Sequence, residues 1–80
     1  PEVNHLRLGV LDYSSTPVSR DLLAEFTGNE LFDLLPSGNS YSTLTRKVRD
    51  GQLEAGVVIG PEFARRLKAG KEADIQILLD

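Results

Sequence analysis

The densest group of side chains able to do chemistry is the run Asp12-Tyr-Ser-Ser-Thr-Pro-Val-Ser-Arg20. A carboxylate, several hydroxyls and a guanidinium this close together are suited to three tasks: binding a polar ligand, holding a cation, or assisting phosphoryl transfer. The last two need a second acidic group or a lysine nearby, and none is evident in the sequence. Serine hydrolysis needs a histidine base, but the lone His5 precedes the first strand and there is no Gly-x-Ser-x-Gly elbow. No Cys exists for a thiolate or a Cys-ligated zinc, and no phosphate loop ends in Gly-Lys-Ser or Gly-Lys-Thr. The pattern therefore predicts no catalytic residue, no metal and no cofactor. It leaves recognition or docking through Asp12, Ser14, Thr16, Ser19 and Arg20, with Gly60 and Pro61 as the neighbouring turn. The competing explanation is local: Ser, Thr, Asp and Pro are the residues that any helix start requires.

The elements that would hold these residues alternate along the chain. Leu6, Leu8, Val10 and Leu11 read as a first strand ending at Asp12. Thr16 suits an N-cap and Pro17 the first helical position, where a missing N–H costs nothing. Val18, Leu22, Leu23 and Phe26 then recur at helical spacing up to Gly28, expected as a left-handed cap. Residues 31–35 form a short strand closed by Pro36-Ser-Gly. Tyr41, Leu44 and Val48 mark one face of a second helix, which Gly51 ends. The unbroken apolar run Ala55 to Ile59 predicts a strand buried on both faces. Pro61 starts a third helix carrying Phe63 and Leu67, Gly70 stops it, and Ile75 to Leu79 reads as a fourth strand.

This β-α-β-α-β-α-β order predicts a small three-layer α/β domain over residues 1–80, with a mainly parallel four-stranded sheet in the order 2-1-3-4. In that order the sheet changes its direction of growth between the first and third strands. The Asp12 loop and the Gly60-Pro61 turn then flank the crevice where α/β sheets bind ligands. A fourth strand parallel to the first would take the chain out at the opposite end of the sheet from Pro1, leaving Ile75 to Leu79 as an exposed edge through which the chain self-associates.

Composition narrows the function classes. The chain has 80 residues and a formal charge of −3, which argues against nucleic-acid binding. No apolar run approaches the roughly 20 residues of a membrane helix. The chain starts at Pro1 and contains no Met, so it reads as a soluble piece of a longer protein. Apart from Arg7 and Arg20, every basic residue (Arg46, Lys47, Arg49, Arg65, Arg66, Lys68, Lys71) falls in or after the later turns of the second and third helices. Helix dipoles favour cations there. If both helices cross back over the sheet, these cations also gather on the edge where the first strand begins, next to Pro1, and could face lipid head groups.

Taken together, these residues resemble the extracytoplasmic domain between the first and second membrane spans of type-2 ABC exporter permeases, the bacterial family of multidrug and daunorubicin-type efflux permeases. The resemblance covers nearly the whole chain. It rests on the strand ending in Asp12 and the helix start Thr16-Pro17-Val18-Ser19-Arg20. It continues through Leu44, Gly51, the strand Ala55 to Ile59, Pro61-Glu62-Phe63, Gly70 and the strand running into Asp80. The family often has a second Asp where this chain has Ser14, and Pro where it has Gly60, so no carboxylate pair is implied here.

The resemblance implies a non-catalytic, extracytoplasmic module of a bacterial cell-membrane protein. It would contribute to gating, dimer contact or docking during export, with ATP hydrolysis on a separate cytoplasmic ATPase subunit or domain. The implied partners are the permease membrane helices, a second permease copy and a periplasmic adaptor. The alternative is a free-standing small-molecule binding module that uses the crevice at the Asp12 loop.

Overall fold

A computed structural model describes residues 5–80. Strand β1 (Leu6–Asp12) leads into helix α1 (Pro17–Thr27), strand β2 (Phe32–Leu34) and helix α2 (Tyr41–Arg49). Strand β3 (Ala55–Ile59), the short helix α3 (Phe63–Lys68) and strand β4 (Ile75–Leu79) follow. The sheet order is β2-β1-β3-β4, the order expected from the alternation. Both neighbours of β1 run parallel to it, but β4 runs antiparallel to β3, so the sheet is mixed rather than mainly parallel.

The reason is the connection. Chains that join parallel strands must recross the whole sheet, whereas antiparallel neighbours need no crossover. Helix α3 spans residues 63–68 and the chain then returns to Ile75, which pairs with Ile59 at the end of the sheet just left. This overturns the expected exit from the sheet. Leu79 pairs with Ala55, which in turn pairs with Leu8, so β4 ends beside the beginning of β1. Pro1 lies outside the described residues.

Local chemistry explains α2, whereas α3 has no side-chain cap and starts at Phe63, so Pro61 lies in the turn ahead of it rather than at its first position. In α2 the hydroxyl of Ser40 accepts from the Thr43 amide at 3.1 Å, and the i, i+4 pair Leu44 and Val48 is buried. Gly9 of β1 and Gly56 of β3 lie side by side in the register. Neither carries a side chain into the space under α2, and Leu44, fully buried, fills the trough above the two backbones. Leu11, Val48, Leu53 and Val58 complete that core, with Leu78 packed against it. Gly28 departs from the expected left-handed cap. Its φ is −78°, and the turn is completed by Asn29, whose amide donates to Phe26 O and whose side chain accepts from Leu31 N at 2.9 Å.

Candidate functional site

Asp12 is the last residue of β1, and its carboxylate organises the loop that follows. Oδ1 accepts from the amides of Ser14 at 2.9 Å and Ser15 at 3.0 Å, which turns the chain sharply; Ser15 takes the left-handed conformation at φ 50°. Oδ2 accepts from the buried Ser19 hydroxyl at 2.6 Å. Thr16 is the N-cap of α1: its Oγ1 accepts from Ser19 N at 3.1 Å, while Ser19 Oγ accepts from Thr16 N at 3.0 Å. This is a capping box with serine in the position usually held by Glu or Gln.

The hydroxyls also form a chain. Ser14 Oγ lies 2.9 Å from Thr16 Oγ1, Thr16 Oγ1 donates to Ser19 Oγ at 3.2 Å, and Ser19 Oγ donates to Asp12. With Ser14 as donor, each hydroxyl proton is used once and all run toward the carboxylate, the arrangement in which hydrogen bonds reinforce one another. Of the residues predicted for the site, Asp12, Ser14, Thr16 and Ser19 are thus brought into one network. Gly60 lies beside them because Asp12 pairs with Ile59, and Tyr13 N donates to Ile59 O at 2.9 Å across the change in growth direction. Pro61 is exposed next to Gly60. Arg20 is exposed as well, and its side chain takes no part in the network.

Chemically, this arrangement fixes a strand to a helix. Both oxygens of Asp12 and the hydroxyls of Thr16 and Ser19 are engaged within the loop and helix start, Oδ1 by backbone amides and the rest by one another. The large apolar side chain the loop offers outward is Tyr13, 49% exposed, beside the exposed Ser15 and Pro17. Two residues that the sequence pattern does not mark matter here. Ser15 supplies the left-handed turn, and Ser37 is buried with its Oγ accepting from Val10 N at 3.2 Å and donating to Val10 O at 3.4 Å, extending the β1–β2 ladder beyond Leu34. Nothing local to Ser37 signals that contact. A shallow depression lined by Ala24, Glu25, Gly28, Asn29, Glu30 and Leu31 lies at the other end of the sheet and shares no residue with the predicted site.

The charged residues divide into two groups. The α2 crossover does carry Arg46, Lys47 and Arg49 toward the edge where β1 begins, near the ion pair of Arg7 with Glu54 at 2.8 Å. Arg46 also approaches Asp50 at 3.9 Å, and Lys47 Nζ donates to Pro36 O at 3.2 Å. The α3 cations do not follow. Because α3 lies within a connection that returns to the carboxyl end of β3, no crossover takes Arg65, Arg66, Lys68 and Lys71 to that edge. Arg65 pairs with Glu62, and Arg66 Nε donates to Glu72 O at 2.6 Å, holding the returning loop.

Among the described residues, no helix is long and apolar enough to cross a membrane. Comparison with known proteins finds no matching family model, no matching curated protein and no matching solved structure.

Proposed function

We propose that this chain is a non-catalytic extracytoplasmic domain of a bacterial type-2 ABC exporter permease, contributing to gating, dimer contact or docking during export. The observation that carries the reading is the path of the chain: β1 begins and β4 ends at the same end of the sheet. A domain inserted between two membrane spans has to receive and return the chain on one side, and the antiparallel fourth strand provides this. The Asp12 network is consistent with such a scaffold role, since its polar groups hold α1 to the sheet. A small-molecule site at the crevice would instead need polar groups aimed into it, and those of Asp12, Thr16 and Ser19 are already engaged with each other.

In this role ATP is hydrolysed by a separate cytoplasmic subunit or domain, and the substrate passes through membrane helices. The partners are those helices, the second permease copy and a periplasmic adaptor. The test is membrane topology of the full-length gene product, with reporters fused ahead of residue 5 and within the α2–β3 loop. Reporter activity outside the cytoplasm, with spans on both sides of the domain, is the expected result. A cytoplasmic product without spans would overturn the reading.

A further inference from the structure

Strand β4 is an edge strand whose outer side carries no other chain among the described residues. Ile77 is 50% exposed and Leu79 74% exposed, although both lie on the face where their partners Val57 and Ala55 are buried. The short helix explains the difference. Helix α3 rises only about 9 Å, whereas a five-residue strand extends about 17 Å, so cover for β4 stops partway. Leu67 on α3 is likewise 50% exposed. Between Asp74 and Asp80 the edge carries no charge, proline or bulge of the kind that normally blocks pairing.

We propose that the chain forms a two-fold dimer in which β4 pairs antiparallel with β4 of a second copy, the axis passing at Leu78. Charge selects the register. An axis at Ile77 would set Asp74 against Asp80 of the partner subunit, and an axis at Gln76 would set Glu72 against that same Asp80. Like charges directly opposite are destabilising. An axis at Leu78 avoids both clashes. It sets Gln76 against Asp80 of the partner subunit, where an amide can donate to a carboxylate, and sets Ile77 against Leu79 of the partner subunit. The two most exposed apolar side chains of the strand then cover each other twice, on the face that α3 leaves open. The proposal does not depend on the permease reading.

Sedimentation equilibrium of the full chain across micromolar to millimolar concentration tests it. A monomer–dimer equilibrium is expected, with β4 amides protected from hydrogen exchange in proportion to dimer. Leu79→Lys should weaken association at least tenfold while leaving the circular dichroism spectrum unchanged, because residue 79 is largely exposed in the single chain. The register is read from Gln76→Lys and Gln76→Glu, which both lose the amide bond to the Tyr41 hydroxyl. Lys opposite Asp80 of the partner subunit should associate more tightly than Glu at low salt, and the gap should close at high salt. A chain that stays monomeric at millimolar concentration would overturn the proposal. So would a dimer indifferent to Leu79→Lys, or equal affinities for the two Gln76 variants.

Discussion

The hydroxyl of Ser19 donates to Oδ2 of Asp12 across 2.6 Å, joining the end of β1 to the first turn of α1 through two side chains. Ser19 is fully buried, and its hydroxyl also lies 3.0 Å from Thr16 O, within the same turn. In its geometry the loop after Asp12 clamps the strand to the helix.

Ser19→Ala should therefore cost more than an ordinary cap mutation. It removes the donor to Asp12 and also the acceptor for Thr16 N, leaving an amide and a carboxylate oxygen short of a partner. Removing one partner of a buried hydrogen bond costs about 1–3 kcal/mol, and the upper half of that range is expected because the bond from Thr16 Oγ1 is lost as well as those to Thr16 N and Asp12. Urea denaturation of the variant measures it. A loss below about 0.5 kcal/mol, the ordinary surface value, would show that the clamp is not holding the helix.

Thr16→Ala should cost about 1 kcal/mol, and Thr16→Ser much less, since only the hydroxyl accepts from Ser19 N. Ser40→Ala removes the equivalent bond to Thr43 N at α2, on the other face of the sheet. The two cap mutations share no partner, so their effects should add within about 0.5 kcal/mol, whereas Thr16→Ala and Ser19→Ala should not. Denaturation of the single and double variants separates these outcomes.

Whether a feature could be read from the sequence followed from whether its cause was local. Thr16-Pro17 and the Leu44–Val48 spacing identify their helices because caps and helical faces depend on neighbours three or four residues away. The unbroken apolar run of β3 identifies a central strand for the same reason. The direction of β4 was not legible, because its alternation is the same in either sense; the short connection through α3 decides it. Ser37 on Val10 and Glu54 on Arg7 join segments far apart in sequence, and nothing in the flanking residues marks either contact. Around Asp12 the residues were identified, but whether their hydroxyls faced a ligand or one another depended on the left-handed turn at Ser15.

The glycines of the sheet should differ sharply from that of the crevice. A Cβ at Gly9 would lie 2.6 Å from side-chain carbons of both Leu44 and Leu53 and 2.7 Å from Ser37 Cβ, so Gly9→Ala forces the core apart. Overpacking of this kind costs about 1–3 kcal/mol. At Gly56 the atoms nearest a Cβ all belong to Leu44, at 3.0–3.1 Å, so Gly56→Ala should be milder. At Gly60 a Cβ meets nothing within 4 Å among the described residues, so Gly60→Ala should be neutral or stabilise by up to about 1 kcal/mol through the unfolded chain. Thermal melts of the three variants should fall in that order.

The Arg7–Glu54 pair should set part of the acid limb of stability. Arg7 donates to Glu54 from both its guanidinium and its backbone amide, and these bonds hold the Glu54 carboxyl below its usual value of 4.5. A carboxylate whose pKa is depressed by folding binds fewer protons in the folded than in the unfolded chain as acidity rises. Its contribution is complete above the ordinary value and is lost as the pH falls through the depressed one. Glu54→Gln cannot titrate, so the difference in melting temperature between wild type and variant should be constant from pH 7 to about 5.5 and shrink steadily below about 4.5. Because the pair is partly exposed, the plateau itself should be small and should decrease with salt. Melts at pH 7, 5.5, 4 and 3 decide the matter; a difference that grows on acidification would mean that the pair opposes rather than supports the folded state.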